Sequence, residues 1–344
     1  MKAIFFQEHG PISVLRYGSV PDPVVRPGEA LIKVHFCALN RLDIWVRTGW
    51  KGLKVEFPHI TGSDIVGELV ELNGVSKSLK IGDKVFVNPG VISSFDEWVM
   101  KGEPSVSPGY KIIGEQLRGG LAEYVVVPIQ NVLKLPDNRD PISVCCSILC
   151  GMTVWRMLFS RAHLKPGESV LVVGAGGGVN SLCIQICKKI GCYVIALAGG
   201  KEKVDLAYKL GADLVLDYKK NKTWHLAVLD HTKSRGVDIV VDNVGKNTIQ
   251  QSIIAVKRGG RIVTVGNTSG WDLNFDNRYL FAKQVSIIGS TMGSELDLVE
   301  SQNFLHREKI TPVIHQIFEL KDGIKALKVL ESGKHFGKIV INVP

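Results

Sequence analysis

Apolar residues follow two different periods along the chain, and the change between them falls near residue 150. Up to about residue 135, short runs in which apolar and polar residues alternate are separated by Gly, Pro and Asn, as in ALIKVHF, IVGELVEL and LAEYVVVP. Alternation with a period of two predicts half-buried strands, so this part of the chain is expected to be rich in β-structure.

Strands and helices are predicted in turn from about residue 150 onwards. Apolar runs such as SVLVVG, CYVIALA, VDIVVDNVG and GGRIVTVG are separated by segments whose apolar residues recur at helical spacing. This alternation predicts a doubly wound parallel sheet, and therefore an α/β fold. After Gly293, two further helices, ELDLVESQNFLHREK and IKALKVLESG, precede a closing strand, KIVINV.

The segment from Glu168 to Gly191 predicts a strand, a glycine-rich turn and a helix. Glycines let the backbone approach a pyrophosphate, and the free N–H groups at a helix start stabilise its charge. The last glycine of the dinucleotide-binding motif, which permits close packing of helix on strand, is missing here. We predict a dinucleotide site; a glycine turn that binds nothing is the alternative. The predicted phosphate-binding residues are Gly174, Gly176, Gly177, Gly178, Val179 and Asn180.

Composition and charge narrow the class of protein. A chain of 344 residues with 45% hydrophobic and 22% charged residues suits two domains with proper cores. The formal charge of +9 is spread as pairs and triplets, so nucleic-acid binding is not expected. The start of the chain resembles neither a signal peptide nor a membrane span, and the seven cysteines form no CxxC pair. We expect residence in the cytoplasm.

Eight segments resemble, in order, those of the medium-chain dehydrogenase/reductase family: PGEALIKV, ALNRLDIWVRTG, PHITGSDIVGELVE, GDKVFVNPG, GGLAEYVVVP, KLGAD, GGRIVTVG and HFGKIVI. The resemblance implies a GroES-like, β-rich catalytic domain formed by residues 1–150 and 292–344. It also implies a Rossmann cofactor-binding domain formed by residues 151–291. A small-molecule substrate follows from the same resemblance.

The positions that hold the catalytic metal in zinc alcohol dehydrogenases of this family correspond to Asn40, Ser63 and Leu149. Asn and Ser are poor zinc ligands and Leu is none, so we expect no metal site. The hydroxyl and the histidine that pass the alcohol proton to solvent correspond to Leu42 and Trp45. These departures favour the zinc-independent quinone oxidoreductase branch of the family.

The four cysteine positions of the family's structural zinc lobe correspond to Ser93, Asp96, Val99 and Ser107. Without a metal to offset the entropy of ordering, the lobe is expected to depend on the packing of its apolar side chains. Those side chains are Phe95, Trp98 and Met100. We expect the lobe to be mobile or to be held by a partner subunit.

The predicted activity is hydride transfer from NADPH to a quinone or a similar conjugated carbonyl compound, with the hydride chemistry supplied by the cofactor. Asn40 and Ser63 are hypothesised to donate hydrogen bonds to the acceptor oxygen, while Asp43 and Asp64 hold the loops. Three alternatives stay open. They are an enone reductase or alcohol dehydrogenase of the same family, a zinc enzyme with altered ligands, and a non-catalytic protein that binds NADPH or RNA.

The end of the second Rossmann strand carries no acid, which favours NADPH over NADH, although NADH remains possible. Gly199 and Gly200 occupy that turn, and Lys203 and Tyr218 are available for a 2′-phosphate. Alternatively, the lysines of this turn are plain surface charge.

Further site residues are implied by position in the family. Arg41 and Lys338 correspond to cations that pair with the pyrophosphate, and Thr153 corresponds to a residue at the nicotinamide face. The carboxamide site corresponds to Val265, Gly266, Ser290 and Met292, and the ribose and nicotinamide end to Asn243 and Val244. For Asn243, a helix cap is the alternative. The segment VSIIGST resembles the edge strand through which family members pair, which implies a homodimer or a homotetramer.

Overall fold

The computed structural model describes residues 1–344, which divide into two compact units. The first unit comprises Met1–Met152, Gly293–Gln302 and Thr311–Pro344. The second comprises Thr153–Met292 and Asn303–Ile310.

The secondary structure follows the predicted change from strands to alternating strands and helices. The strands are β1 (Lys2–Phe5), β2 (Arg16–Ser19), β3 (Glu29–Ala38), β4 (Asp64–Asn73), β5 (Lys84–Val87), β6 (Gly90–Ile92), β7 (Tyr110–Ile112), β8 (Tyr124–Pro128), β9 (Val132–Lys134), β10 (Ser169–Val173), β11 (Tyr193–Ala198), β12 (Leu214–Asp217), β13 (Val237–Asp242), β14 (Val256–Thr264), β15 (Ser286–Gly289), β16 (Ile314–Glu319) and β17 (Lys338–Asn342). The α-helices are α1 (Arg41–Thr48), α2 (Glu97–Met100), α3 (Pro141–Trp155), α4 (Gly178–Lys189), α5 (Lys201–Lys209), α6 (Trp224–His231), α7 (Ile249–Ala255), α8 (Asn277–Lys283), α9 (Glu295–Arg307) and α10 (Gly323–Ser332). A π-helix, Arg156–Arg161, continues α3.

The first unit is built on a seven-stranded sheet in the order β16-β17-β3-β4-β5-β9, with β8 paired to β3. The long antiparallel pair of β3 and β4 places Ala38, at the end of one strand, opposite Asp64, at the start of the other. Apolar side chains such as Ile32 and Leu69 are fully buried in the core of this unit. The pairing brings the residue after β3 close to the first residue of β4.

The second unit is a parallel six-stranded sheet in the order β12-β11-β10-β13-β14-β15. This order reverses between β10 and β13, and ligands of such sheets bind at the carboxyl ends of the strands near that point. The residues from Val170 to Val173 are buried, as expected for the central strand of a doubly wound sheet. The predicted α/β fold class is therefore confirmed.

The division of the chain differs from the predicted domains near the C-terminus. The first boundary, predicted at residues 150 and 151, lies between Met152 and Thr153. The predicted first domain also included residues 303–310, which the structure assigns to the second unit. The reason lies in α9, where the ring of Phe304 packs on Trp155 at a centroid distance of 5.3 Å.

The longest helical segment, 141–161, is apolar and long enough to span a membrane by length and composition alone. In the structure, 72% of its most apolar window is buried inside the protein. Cys145, Ile148 and Met152 on this segment are completely buried. The segment therefore has the burial of a core helix.

Candidate functional site

Asp43 ties the start of α1 to the segment before β4 in the first unit. One carboxylate oxygen accepts a hydrogen bond from the Asn40 N–H at 2.7 Å, and the other accepts from the Gly62 N–H at 2.9 Å. Burial raises the pKa of Asp43 to about 6, against the opposing effect of these hydrogen bonds. Asp43 thus has contacts of the loop-holding kind that we predicted for it.

A buried ammonium group lies among the positions that correspond to metal ligands. Lys338 Nζ donates to Leu39 O at 2.7 Å, to Asn40 Oδ1 at 2.6 Å and to Asp64 Oδ2 at 2.9 Å. The side chains of Lys338 and Asp64 are only 3% and 0% exposed. Burial by itself lowers the pKa of Lys338, but the Asp64 carboxylate outweighs it and holds the pKa above the ordinary value. The site therefore contains a permanent internal cation.

Asp64 connects this cation to α3. Its second carboxylate oxygen accepts a hydrogen bond from the Leu149 N–H at 2.7 Å. Nearby, burial raises the pKa of Cys146 to about 12 and that of Cys150 to about 11, so both remain thiols at neutral pH. The three segments that correspond to metal-ligand positions are therefore held together by hydrogen bonds and one ion pair.

This geometry corrects two predictions. Lys338 was expected to contact the pyrophosphate, but its ammonium is buried and is saturated by three oxygen acceptors. Asn40 was expected to donate to the acceptor oxygen, but its amide nitrogen already donates to Asp64 Oδ2 at 2.9 Å and to Ala38 O at 3.4 Å. Both side chains are therefore structural parts of the site.

Arg41, the other predicted pyrophosphate cation, is half-buried at the start of α1. Burial lowers the pKa of its guanidinium, and the nearby Glu331 carboxylate raises it. The guanidinium lies beside Gly333, where α10 ends. Its role at the pyrophosphate stays a prediction.

Ser63 is the hypothesised donor whose hydroxyl remains uncommitted. Its side chain is completely buried, and its Oγ has no hydrogen-bond partner. The same holds for the hydroxyls of Thr153 and Ser290 in the second unit, and for Ser105 in the first. Buried hydroxyls normally find a partner, so three predicted site residues carry groups that a ligand could satisfy.

The glycine turn after β10 has the geometry of a phosphate-binding turn. Gly174 has a φ of +85°, a conformation that side chains rarely adopt. A Cβ atom on Gly177, the N-cap of α4, would meet no atom within 4 Å, so open space lies next to the backbone there. The first N–H groups of α4, which begins at Gly178, have no carbonyl partner within the helix. These features fit a pyrophosphate.

At the predicted carboxamide site, two backbone donors are already used. The Val265 N–H donates to the side-chain oxygen of Asn243 at 2.8 Å, and the Ser290 N–H donates to Thr264 O at 2.9 Å. These two N–H groups are therefore committed within the protein, and the assignment of the surrounding backbone to the carboxamide stays a prediction. The Ser290 hydroxyl is the group left without a partner.

The backbone of Val244 is similarly committed. Its N–H donates to Asp242 Oδ1 at 3.0 Å, and its carbonyl accepts from Ser269 Oγ at 2.8 Å. Asp242, which is buried, also accepts hydrogen bonds from Thr248 Oγ1 at 2.8 Å and from Ser252 Oγ at 2.7 Å. Sequence reasoning missed Asp242. In the sequence, only its position at the carboxyl end of a predicted parallel strand pointed to a role at the site.

The turn after β11 has the architecture that the predicted 2′-phosphate site requires. A Cβ on Gly199 would lie only 2.4 Å from the Tyr218 hydroxyl, so glycine lets that hydroxyl lie against the turn. Lys203 is partly buried on α5, and burial and the nearby Lys219 lower its pKa. A Cβ on Gly200 would lie 3.8 Å from Lys219 Nζ, so two interacting lysines and the Tyr218 hydroxyl belong to the same turn, which suits an anion.

A carboxylate that was not among the predicted site residues, Asp217, also lies at this turn. Asp217, the last residue of β12, accepts hydrogen bonds from the Gly200 N–H at 3.1 Å and from the Lys219 N–H at 3.0 Å. The hydrogen bond from Gly200 is the main reason that the pKa of Asp217 is lowered. The charge of the turn therefore combines two cations with one anion.

The lobe that corresponds to the structural zinc lobe is held by hydrogen bonds. Asp96 Oδ1 accepts from two backbone N–H groups at the start of α2, at 3.0 and 3.1 Å. Its Oδ2 accepts from the Ser107 hydroxyl at 2.6 Å, and the Gly109 N–H donates to Ser107 Oγ at 3.0 Å. Ser93 Oγ donates to the carbonyl of Gly109. Three of the four positions that correspond to cysteines in the family therefore take part in a polar network.

The prediction that Phe95 and Met100 pack the lobe is wrong. Their side chains are 85% and 77% exposed. Trp98 is only half-buried, and its ring lies 5.0 Å from the ammonium of Lys101. Within this chain the lobe is held by polar contacts, and its mobility or contact with a partner subunit stays a prediction.

Comparisons with known proteins agree with this architecture. The alcohol dehydrogenase GroES-like domain matches residues 26–137, and the zinc-binding dehydrogenase family matches residues 178–307. An NAD-dependent alcohol dehydrogenase of Sulfolobus acidocaldarius is 31% identical over 350 residues, which cover 100% of both chains. A quinone oxidoreductase of Pongo abelii is 28% identical over 86% of this chain and 81% of its own length. A crystal structure of an NAD-dependent alcohol dehydrogenase superposes with a TM-score of 0.95, at 34% identity over 100% of both chains.

The parallel sheet with its phosphate-type turn, together with these relatives, defines an NAD(P)H-dependent oxidoreductase. The chain belongs to the medium-chain dehydrogenase/reductase family, which confirms the prediction made from the eight segments.

The ion pair generates a prediction for stability. Replacing Lys338 with Met leaves the Asp64 carboxylate buried without its counter-charge, which is expected to lower the free energy of unfolding by about 3 to 5 kcal/mol. The double variant Lys338→Met/Asp64→Asn removes both charges and is expected to lose less than the single variant. Urea unfolding measures both values. Lys328→Met, on the exposed side of α10, serves as control. An equal loss at both lysines would contradict the assigned role.

Proposed function

We propose that this protein is a zinc-independent, NADPH-dependent reductase that transfers hydride to a quinone or a similar small conjugated carbonyl compound. The observation that carries the proposal is the Lys338–Asp64 ion pair, which lies among residues corresponding to the metal-ligand positions. Those positions hold an amide, a hydroxyl and an apolar side chain at Asn40, Ser63 and Leu149. This set of donors does not suit zinc, and an ammonium beside it opposes the binding of a dication.

The acceptor class follows from the groups that remain available. Of the two hypothesised donors to the acceptor oxygen, Asn40 is committed and Ser63 keeps an uncommitted hydroxyl, which is a weak acid. Such a donor stabilises negative charge on an oxygen without delivering a proton readily. A quinone or an enone delocalises the charge that arrives with the hydride and takes its proton afterwards. A simple ketone needs a stronger acid, so the site favours conjugated acceptors.

The bound nicotinamide cofactor would supply the hydride. We assign the pyrophosphate to the start of α4, the nicotinamide end to Thr153 and Ser290, and the 2′-phosphate to Lys203 and Tyr218. The open space at Gly177 and the unpartnered hydroxyls support this assignment. NADPH is preferred in the proposal because Lys203, Lys219 and the Tyr218 hydroxyl all belong to the turn after β11.

We further propose that the protein forms a homodimer through β15, or a homotetramer built from such dimers. β15 lies at the edge of the parallel sheet, and Ile287 on it is exposed. The same unit exposes Trp271 and Phe281, at 83% and 65%. An uncovered strand edge with exposed apolar side chains in its unit is typical of a surface for self-association.

Activity after metal removal tests the proposed function. Protein dialysed against a chelator is expected to oxidise NADPH with quinones, or with enones, at the rate of untreated protein, because no step needs a bound metal. The measurement follows NADPH and NADH absorbance with both acceptor panels, together with the metal content of the protein. Activity that disappears with the chelator and returns with zinc would contradict the proposal. Tight NADPH binding without turnover would indicate a binding protein.

Ser63 is the proposed catalytic residue for the acceptor oxygen. Ser63→Ala is expected to lower kcat with the best acceptor about 10- to 100-fold, with a smaller effect on the KM for NADPH. Its stability should be unchanged, because the hydroxyl makes no hydrogen bond that is lost. Ser105→Ala is the matched control, since that serine is also buried and unpartnered. Equal kcat values in both variants would refute the role of Ser63.

Cofactor preference can be tested at α5. Lys203→Glu is expected to reduce the preference for NADPH over NADH, measured as the ratio of kcat/KM values, about 10- to 100-fold, because a charge-assisted contact to the 2′-phosphate is replaced by repulsion. Lys209→Glu makes the same charge change in the last turn of the same helix and should leave the ratio unchanged. If both variants shift the ratio equally, the effect comes from net charge, and the assigned site is wrong.

A further inference from the structure

Two asparagine side chains connect the carboxyl ends of three neighbouring strands in the second unit. Asn180 Nδ2 donates to Val173 O and to Gly174 O, both at 2.8 Å, where β10 enters the glycine turn. Asn243 Nδ2, just after β13, donates to Asn180 Oδ1 at 2.8 Å. The Val265 N–H, just after β14, donates to Asn243 Oδ1 at 2.8 Å. We call this chain of four hydrogen bonds the amide relay.

The relay has one consistent direction. Two carbonyl groups face one end of the Asn180 side chain, so the nitrogen must lie there and the oxygen must face Asn243. At the other end, the Val265 N–H requires the oxygen of Asn243, which turns the nitrogen of Asn243 towards Asn180. Each amide therefore fixes the orientation of its neighbour. Asn180 is 6% exposed, so water cannot easily replace these bonds.

Val179 and Asn180 follow the glycines where the last glycine of the dinucleotide-binding motif is missing, and a glycine at position 180 would change the energetics of the turn. It would leave the carbonyls of Val173 and Gly174 without this donor, and it would free the amide of Asn243. A buried polar group that loses its partner destabilises the arrangement that holds it. The departure from the motif thus adds contacts that glycine cannot make.

We propose that Asn180 is a positioning residue for the cofactor. Through Asn243 it sets the distance between the phosphate turn and the strand end at Val265, so that the two ends of the dinucleotide meet groups already in place. This inference rests on the proposed function, because it assigns the dinucleotide to this face of the sheet. Preorganisation of this kind improves affinity because the free protein need not be ordered on binding.

The first test places a glycine at position 180. Asn180→Gly is expected to raise the Kd for NADPH at least about tenfold. Asn131 provides the matched control, since it is 3% exposed and its amide nitrogen donates to Asn88 O at 2.9 Å and to Gly90 O at 2.7 Å. Asn131→Gly should leave the Kd unchanged. An unchanged Kd in Asn180→Gly, or an equal rise in both variants, would overturn the inference.

The second test asks whether the two amides act as one unit. Asn243→Ala interrupts the relay and leaves Asn180 in place, so it also serves if Asn180→Gly fails to fold. It should raise the Kd for NADPH by a similar factor, and the double variant should bind no more weakly than the weaker single variant. Fold-changes that multiply would show that the residues act independently, against the proposal.

Hydrogen exchange measured without cofactor tests the amide relay independently of the proposed function. Without any cofactor, exchange of the Val265 amide hydrogen should be at least about tenfold faster in Asn180→Gly than in the original protein. Unchanged exchange would overturn the relay whatever the protein binds. If the original protein binds neither NADPH nor NADH, the proposed function fails and the cofactor role of Asn180 fails with it. If exchange is faster in that case, the amide relay holds the strand ends together but has no role in cofactor binding.

Discussion

The ion pair between Lys338 and Asp64 is the interaction on which the first unit most depends. Removing an ammonium and a carboxylate from water is costly, and their attraction repays it only when the remaining hydrogen-bonding groups are satisfied. Here the ammonium has three oxygen acceptors, and the carboxylate accepts further hydrogen bonds from Asn40 and from the Leu149 N–H. The pair therefore fixes β17, the end of β3, the start of β4 and α3 to one another.

The second unit solves a related problem with one carboxylate and two amide side chains. The carboxyl ends of parallel strands leave polar backbone atoms close to one another, and each buried one needs a partner. Asp242 satisfies the loop after β13, and Asn180 and Asn243 satisfy the ends of β10 and β14. Amides suit this position because each donates and accepts, so they join strand ends without adding charge. The backbone at Gly177 has open space beside it, which leaves room for an anion.

Much of the fold could be predicted from the sequence, because the spacing of apolar residues reflects burial directly. The runs SVLVVG and VDIVVDNVG contain the observed strands β10 and β13, and KIVINV contains β17. Side-chain roles were harder to predict where the partner is distant in the chain. Lys338 lies 274 residues from Asp64 in the sequence, and no local pattern shows that its ammonium forms an ion pair with that carboxylate.

The same limit explains the other differences. Asn40 corresponds to a functional position, yet its amide is used within the protein. The sequence of the lobe contains exposed Phe95 and Met100, which apolar character alone predicted to be buried. The hydrogen bonds of Asp96 and Ser107 span 11 residues, and they form because a carboxylate can cap a helix and accept a hydroxyl at once. Tertiary geometry decides which polar groups remain free.

In the proposed zinc-independent reductase, the ion pair at the positions that correspond to metal ligands has a consequence for the chemistry. A metal ion presents positive charge to a reacting oxygen and stabilises the anion that forms there. In this chain the positive charge at the corresponding position is neutralised by Asp64 and enclosed by Leu39 and Asn40. Little of its field is left for a substrate, and a neutral hydroxyl at Ser63 provides only a modest hydrogen bond. Under the proposed function, the acceptor itself would stabilise most of the charge that arrives with the hydride, which is the property that distinguishes quinones and enones from simple ketones.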